Sequence, residues 1–197
     1  MANVKEEKTK DKIVEVADKL FGKFGFYKTS MDEIAKIARK AKGSLYYHFT
    51  SKEELFNEVL AKEIEALKQE LSAIAVNPDL NFKEKVKLYL KRRMQILSES
   101  KIYQETIKAD LYEHFEFTDQ IRTDFEQWEK EYMKQFIETG IEQGEFDIKI
   151  KEIGAILDVF IMVLKGLEIP FFAQGKYLTY EPYMEDMMNI LIKGISK

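Results

Sequence analysis

Cysteine is absent from the 197 residues, which excludes a disulfide framework, a thiolate metal site and a thiol nucleophile. Only three prolines and nine glycines occur, so long helices meet few breakers. No HExxH, GxSxG or P-loop spacing is present, and no metal-ligand set or cofactor motif stands out. Nor is there a long unbroken apolar run. The best candidate, Ile153 to Phe172, is interrupted by Asp158, Lys165, Glu168 and Pro170 and is too broken to cross a bilayer. The opening MANVKEEKTKDK is charged, unlike a signal peptide, and the expected location is the cytoplasm, away from any membrane.

What remains is an ordinary soluble composition, 45% hydrophobic and 34% charged, in a chain long enough for one domain or two small ones. The net charge of −4 conceals an asymmetry. Residues 1–52 carry 12 basic and 7 acidic side chains, a balance of +5, and the rest of the chain stands at −9. A basic end on an acidic body is the pattern expected where one end meets phosphate.

That basic end contains the stretch from Thr29 to Glu53, TSMDEIAKIARKAKGSLYYHFTSKE, which reads as a helix-turn-helix. Ser30 with Glu33 forms a capping box. Met31, Ile34, Ala35 and Ala38 then follow at i, i+3, i+4 and i+7, a single apolar stripe on a short helix. Arg39 to Ala41 makes a tight connection, and Lys42 to His48 forms a second short helix. Leu45 and Phe49 face inward there, leaving Lys42, Ser44, Tyr46, Tyr47 and His48 outside. That many donors and aromatics on one exposed surface suit phosphate and base-edge contact in a major groove. Ser51 with Glu54 repeats the capping pattern at the start of the next helix.

Gly25-x-x-x-Thr29, Ile34-Ala35 and Gly43-Ser44-Leu45-Tyr46-Tyr47-His48-Phe49-x-x-Lys52-Glu53-x-Leu55 together resemble the DNA-binding domain of the tetracycline-repressor (TetR/AcrR) family. The motif detail covers about the first quarter of the chain, and its wording is similar to that of the family's multidrug-sensing repressors. Beyond it, length and helical layout carry the likeness. The turn departs from the family's usual Ala-Gly-hydrophobic-Ser/Thr, because Ala38 is followed by Arg39, Lys40 and Ala41. The resemblance implies an all-α fold with a three-helix head at 1–51 and an effector-binding and dimerisation body at 52–197. It also implies DNA contacts from Lys42, Gly43, Ser44, Tyr46 and Tyr47, with Thr29, His48 and Lys52 clamping the backbone. For His48 the alternative is a local pairing at the helix end.

Taken in order, residues 1–8 read as a frayed arm and Thr9 to Phe24 as an amphipathic first helix, stopped at Gly25. Lys52 opens a long helix to about Val76, whose Leu60, Ile64, Leu67, Leu71 and Ile74 form a continuous seam. Further helices are expected over Phe82 to Ser98, Ile102 to Phe115, Thr118 to Gly140, Ile150 to Phe172 and Tyr180 to Ile195. The count comes to about nine, with Pro182 in the last one's first turn. The final two helices are more apolar than one chain readily covers, so they either pair with a second copy as a four-helix bundle or form a monomer's core.

Tyr89, Met94, Tyr103, Phe125, Trp128, Tyr132 and Met162 are candidates to line a cavity for a small lipophilic effector, the alternative being ordinary core. His114, one turn after Asp110, reads as a surface pair. Three functions compete. The first is a homodimeric repressor released from a near-palindromic double-stranded operator by a lipophilic effector. The second is a helical DNA-binding protein with no effector, and the third a helical enzyme, which no motif supports.

Overall fold

The computed structural model describes residues 2–112, 116–144 and 153–195. Every regular element among them is helical. In chain order these are α1 (Ala2–Phe24), α2 (Met31–Ile37), α3 (Lys42–His48), α4 (Lys52–Ala75), α5 (Phe82–Glu99), α6 (Lys101–Tyr112), α7 (Asp119–Glu142), α8 (Ile153–Glu168) and α9 (Tyr177–Ile195). The His114 reading and the expected helix start at Ile150 lie outside the described residues.

Two compact units emerge, Met1–Glu65 with Ser100–Ile121, and Ala66–Glu99 with Arg122–Lys197. This division differs from the expected boundary at residue 52. The first part of α4 and all of α6 belong with the head, because α6 lies close against α1. A Cβ added at Gly22 would meet Lys101 Cβ at 3.6 Å, and one added at Gly25 would meet Glu105 Oε2 at 3.1 Å. Ile13, Ala17 and Phe21 of α1 share this unit's interior with Leu55, Phe56 and Leu60 of α4 and Ile102 and Ile107 of α6. Phe21, Phe26, Phe56 and Phe117 make edge and stacked ring contacts with centroids 5.2–6.0 Å apart.

Two boundaries move for identifiable reasons. Of the arm expected to fray at residues 1–8, residues 2–8 are the first part of α1. Its Lys- and Glu-rich composition propagates a helix readily, and Glu6 there accepts a bond from Tyr47 Oη at 3.4 Å. In the second unit α9 starts at Tyr177, so Pro182 sits inside the helix and not in its first turn. Between α8 and α9, Ile169–Ala173 forms a wide π turn around Pro170, closed by Gln174 N–H to the Ile169 carbonyl at 3.0 Å. A proline cannot donate to the regular ladder, and a local change of helical pitch absorbs the loss.

Apolar side chains of α5, α7, α8 and α9 fill the second unit, among them Met94, Leu97, Phe125, Met133, Leu157, Leu164 and Met188. Inside it also lies a charged cluster. Arg93 on α5 and Glu129 on α7 form a fork-to-fork pair at 2.6 and 3.0 Å. Glu168 at the end of α8 stands 3.5 Å from Arg93 Nη2, with Arg122 Nη2 on its far side at 4.0 Å. Arg93, Glu129 and Glu168 are at most 3% exposed.

Candidate nucleic-acid interface

The head builds its outer surface from short segments pinned at both ends. At the start of α2 the expected capping box is present. Glu33 N–H donates to Ser30 Oγ at 3.2 Å, and Ser30 N–H donates to Glu33 Oε2 at 3.1 Å. Met31, Ile34 and Ala35 bury the inner face of α2. Its other end closes with a paired bond pattern, Lys40 N–H to the Ala35 carbonyl at 2.9 Å and Arg39 N–H to the Lys36 carbonyl at 3.2 Å. That closure requires a left-handed residue, and Arg39 supplies it at φ 55°. Glycine takes this conformation freely. A side-chain-bearing residue pays about 1–2 kcal/mol there.

Helix α3 is fastened by Leu45 and by Phe49 just past its end, which are 0% and 1% exposed. Lys42, Gly43, Tyr46 and Tyr47 face outward, with Ser44 and His48 half-buried. Tyr47 is 72% exposed, and its ring meets the His48 ring edge-on at 5.2 Å. Lys42 Nζ pairs with Asp32 at 2.8 Å and lies 5.8 Å from the Tyr46 ring centre. The ion pair is exposed on both sides, so it contributes little and can give way to a phosphate. A Cβ added at Gly43 would meet nothing within 4 Å. The fold therefore leaves this glycine unexplained, although alanine would favour the helix by about 1 kcal/mol.

Two of the expected backbone clamps are turned inward. Thr29 is 2% exposed and donates its hydroxyl to the Gly25 carbonyl at 2.8 Å. Lys52 Nζ donates to the carbonyls of Phe26 and Thr29 at 3.0 and 3.1 Å and lies 4.2 Å from the Phe26 ring centre. A buried hydroxyl and an ammonium bonded to two carbonyls hold the α1–α2 connection against α4. The capping pattern at Ser51 and Glu54 is also shared out differently. Glu54 N–H donates to Ser51 Oγ at 3.1 Å, but the Glu54 carboxylate receives the Thr50 N–H and hydroxyl, both at 2.7 Å, and these bonds lower its pKa.

In the second unit the structure brings together part of the expected effector set. Phe125, Trp128 and Tyr132 recur along α7 as a stacked row, with centroids 6.0 and 5.0 Å apart, and Tyr89 stacks on Tyr132 at 6.1 Å. Met94 Sδ lies 3.8 Å from Arg93 Nη1. Tyr89 Oη donates to Glu129 at 3.0 Å; burial first, and the Glu129 charge after it, push the phenol pKa up, so Tyr89 stays a donor. Tyr103 lies on α6, in the first unit, where it is buried. Met162 separates from the group, being 67% exposed on the outer face of α8. Among the described residues, one cleft of about 160 Å³ runs between α5 and α9, touching Met94, Tyr177 and Met188. Another, of about 280 Å³, runs between α7 and α8, touching Glu126, Lys130, Ile161 and Met162.

Sequence reasoning missed the buried charges. Yet Arg93 sits three residues after Leu90 and four before Leu97, Glu129 four after Phe125 and four before Met133, and Glu168 four after Leu164. Each occupies a core position of its helix, and that register was the available signal. No group of three or more His, Cys, Asp or Glu placed to hold a metal occurs among the described residues. No helix among them is long and apolar enough to cross a membrane.

The pattern that defines the "Bacterial regulatory proteins, tetR family" matches residues 13–59, the span from α1 to the first turns of α4. The uncharacterized HTH-type transcriptional regulator YhgD of Bacillus subtilis is 36% identical over 155 residues, 77% of this chain and 76% of the relative. The HTH-type transcriptional regulator QacR of Staphylococcus aureus is 26% identical over 95% of this chain and 98% of its own length. Among solved structures, a transcriptional regulator from Cytophaga hutchinsonii superposes with a TM-score of 0.78 at 25% identity, covering 94% of this chain and 97% of that one. A helix-turn-helix with α3 exposed on an anchored scaffold, and relatives aligned well beyond that head, lead to one conclusion: the chain belongs to the TetR family of bacterial transcriptional regulators.

Proposed function

We propose that this chain is a homodimeric repressor that reads a near-palindromic operator with α3 of each copy and releases it when a small lipophilic effector binds the second unit. The observation that carries the reading is the division of α3. Leu45 and Phe49 hold it rigidly, and Lys42, Gly43, Tyr46 and Tyr47 stand outward with no packing task. Gly43 lets the α3 backbone come close to a sugar–phosphate chain. The Lys42 ammonium exchanges Asp32 for phosphate, and the two tyrosines reach base edges or phosphates. Thr29 and Lys52 support this surface from behind, and His48 completes its end.

Pairing of two copies is supported by the apolar residues left in solvent on the last two helices. Ile156, Val159, Met162 and Val163 of α8 and Leu178, Tyr183, Met187 and Ile190 of α9 are all exposed. Exposed apolar residues in such number mark an interaction surface, and a two-fold partner also doubles the base pairs that one short helix can read. The effector reading rests on the aromatic row of α7 with Tyr89. A second reading, regulation without a small molecule, is favoured by the Arg93–Glu129–Glu168 cluster, which fills the space beside those rings with paired charge.

The test combines selection of duplexes from a random pool with the double variant Lys42→Ala, Tyr47→Ala. The wild-type chain is expected to select an operator whose affinity falls steeply with salt. The variant should lose that preference while its melting temperature stays within a few degrees. Operator binding that survives both substitutions refutes the assignment of α3. Repeating the selection with a panel of lipophilic compounds separates the two readings, since a regulator without effector keeps its operator throughout.

A further inference from the structure

The turn between α2 and α3 carries the cations Arg39 and Lys40, with Lys42 opening α3, and the structure treats the three differently. Lys40 Nζ is drawn back to Thr9 Oγ1 of α1 at 3.0 Å. Lys42 Nζ is paired with Asp32. Arg39 is exposed; its backbone N–H bonds the Lys36 carbonyl, but no hydrogen bond or ion pair to its guanidinium is found among the described residues. It is also the only non-glycine residue among them with a positive φ. Its backbone does what a glycine would do without strain, and the side chain returns nothing to the fold, neither a bond nor a buried face. Strain kept where the fold gains nothing points to a use outside the fold.

We propose that the Arg39 guanidinium is a phosphate-binding group of the DNA interface, engaging the duplex backbone beside α3; this rests on the reading of α3 as the DNA-contacting helix. Lys42 lies three positions after Arg39, a reach of about 11 Å at full extension, so both cations address the same stretch of backbone. A guanidinium is always charged, and its planar fork matches two phosphate oxygens, which an ammonium cannot do. The contact adds affinity on any sequence and leaves base preference to α3.

The experiment uses the full chain, the duplex that it selects from a random pool, and a random-sequence duplex as comparison. Arg39→Gly is the main variant, with Arg39→Ala and Arg39→Lys beside it. Arg39→Gly is expected to raise the melting temperature by a few degrees and yet weaken binding to both duplexes by about tenfold. The slope of log K against log salt should become shallower by about 0.9 for each copy bound, as one phosphate contact per copy is lost. Arg39→Lys should keep the wild-type slope but bind more weakly. A merely structural arginine would show stability and affinity moving together, and that result overturns the proposal. So does an unchanged slope in Arg39→Gly, while wild-type binding keeps the α3 reading intact. Loss confined to the selected duplex would make Arg39 a base reader and overturn the phosphate assignment. If the wild-type chain prefers no duplex at all, the α3 reading fails first and this proposal with it.

Discussion

In the first unit Ile34, Leu45 and Phe49 are sealed away while Arg39, Lys42 and Tyr47 meet solvent; in the second, Arg93, Glu129 and Glu168 are sealed away while Val159, Met162, Leu178 and Ile190 meet solvent. The head obeys the usual partition of apolar and polar groups, and the proposed DNA contact gives its outer cations a polyanion to meet. The body inverts that partition at two places for two different reasons. Its outer apolar faces on α8 and α9 are the ones that the proposed second copy would cover. Its inner charges are tolerated because Arg93 and Glu129 satisfy each other through two bonds and Tyr89 fills a further acceptor site. Surface arrangement therefore separates the two units: one exposes cations, as the proposed DNA contact requires, and the other exposes apolar side chains, as the proposed pairing requires.

The sharpest way to break this comparison is to unbalance the inner charges. Glu129→Ala leaves Arg93 buried without its main partner, at an expected cost of about 3–5 kcal/mol. Denaturant unfolding should show the second unit melting first, whereas Arg93→Met combined with Glu129→Leu should recover most of the loss. If Glu129→Ala unfolds like the wild type, the cluster is not the closed network described above. The outer face offers a smaller effect. Val159→Glu places a carboxylate in the expected dimer seam and should weaken association by roughly 2–3 kcal/mol. Sedimentation would then show monomer at concentrations where the wild type is paired, and a dimer that persists would move the interface elsewhere.

The smallest effect sharpens the comparison from the head's side, for the first unit also hides one costly group. Burial raises the Glu63 carboxyl to about 7, the neighbouring Asp18 charge adds to the shift, and the Ser100 hydroxyl bond at 2.5 Å opposes it. A carboxyl whose folded pKa is raised binds more protons in the folded state between pH 4.5 and about 7. Its contribution to stability is therefore full at low pH and is lost as pH rises through that window. Glu63→Gln should flatten the window and raise the unfolding free energy at pH 8 by roughly 1 kcal/mol after allowance for solvent screening. A pH profile identical to the wild type would show that Glu63 is ionised throughout without penalty.

Much of the head was legible before any coordinates. Ser30 with Glu33, the stripe from Met31 to Ala38, and Leu45 with Phe49 are local signals, each written within one or two turns of helix. Lys42, Tyr46 and Tyr47 were readable as outward for the same reason. The bonds from Thr29 and Lys52 to the carbonyls of Gly25, Phe26 and Thr29 were not legible, because a carbonyl's availability depends on a bend that residue types do not encode. Tyr103 and Met162 were grouped with the effector candidates by composition, and only packing assigned one to the head and the other to an outer face.

What the chain's order of residues settled alone was its helices, its caps, the polarity of its two ends and the family signature in its first quarter. These depend on periodicity and on partners a few residues apart. Tertiary structure decided that α6 joins the head, that Arg39 bends left-handed with its charge in solvent, and that three charges from α5, α7 and α8 meet in the interior. Those outcomes turn on contacts between residues far apart along the chain, whose geometry exists only once the helices have packed.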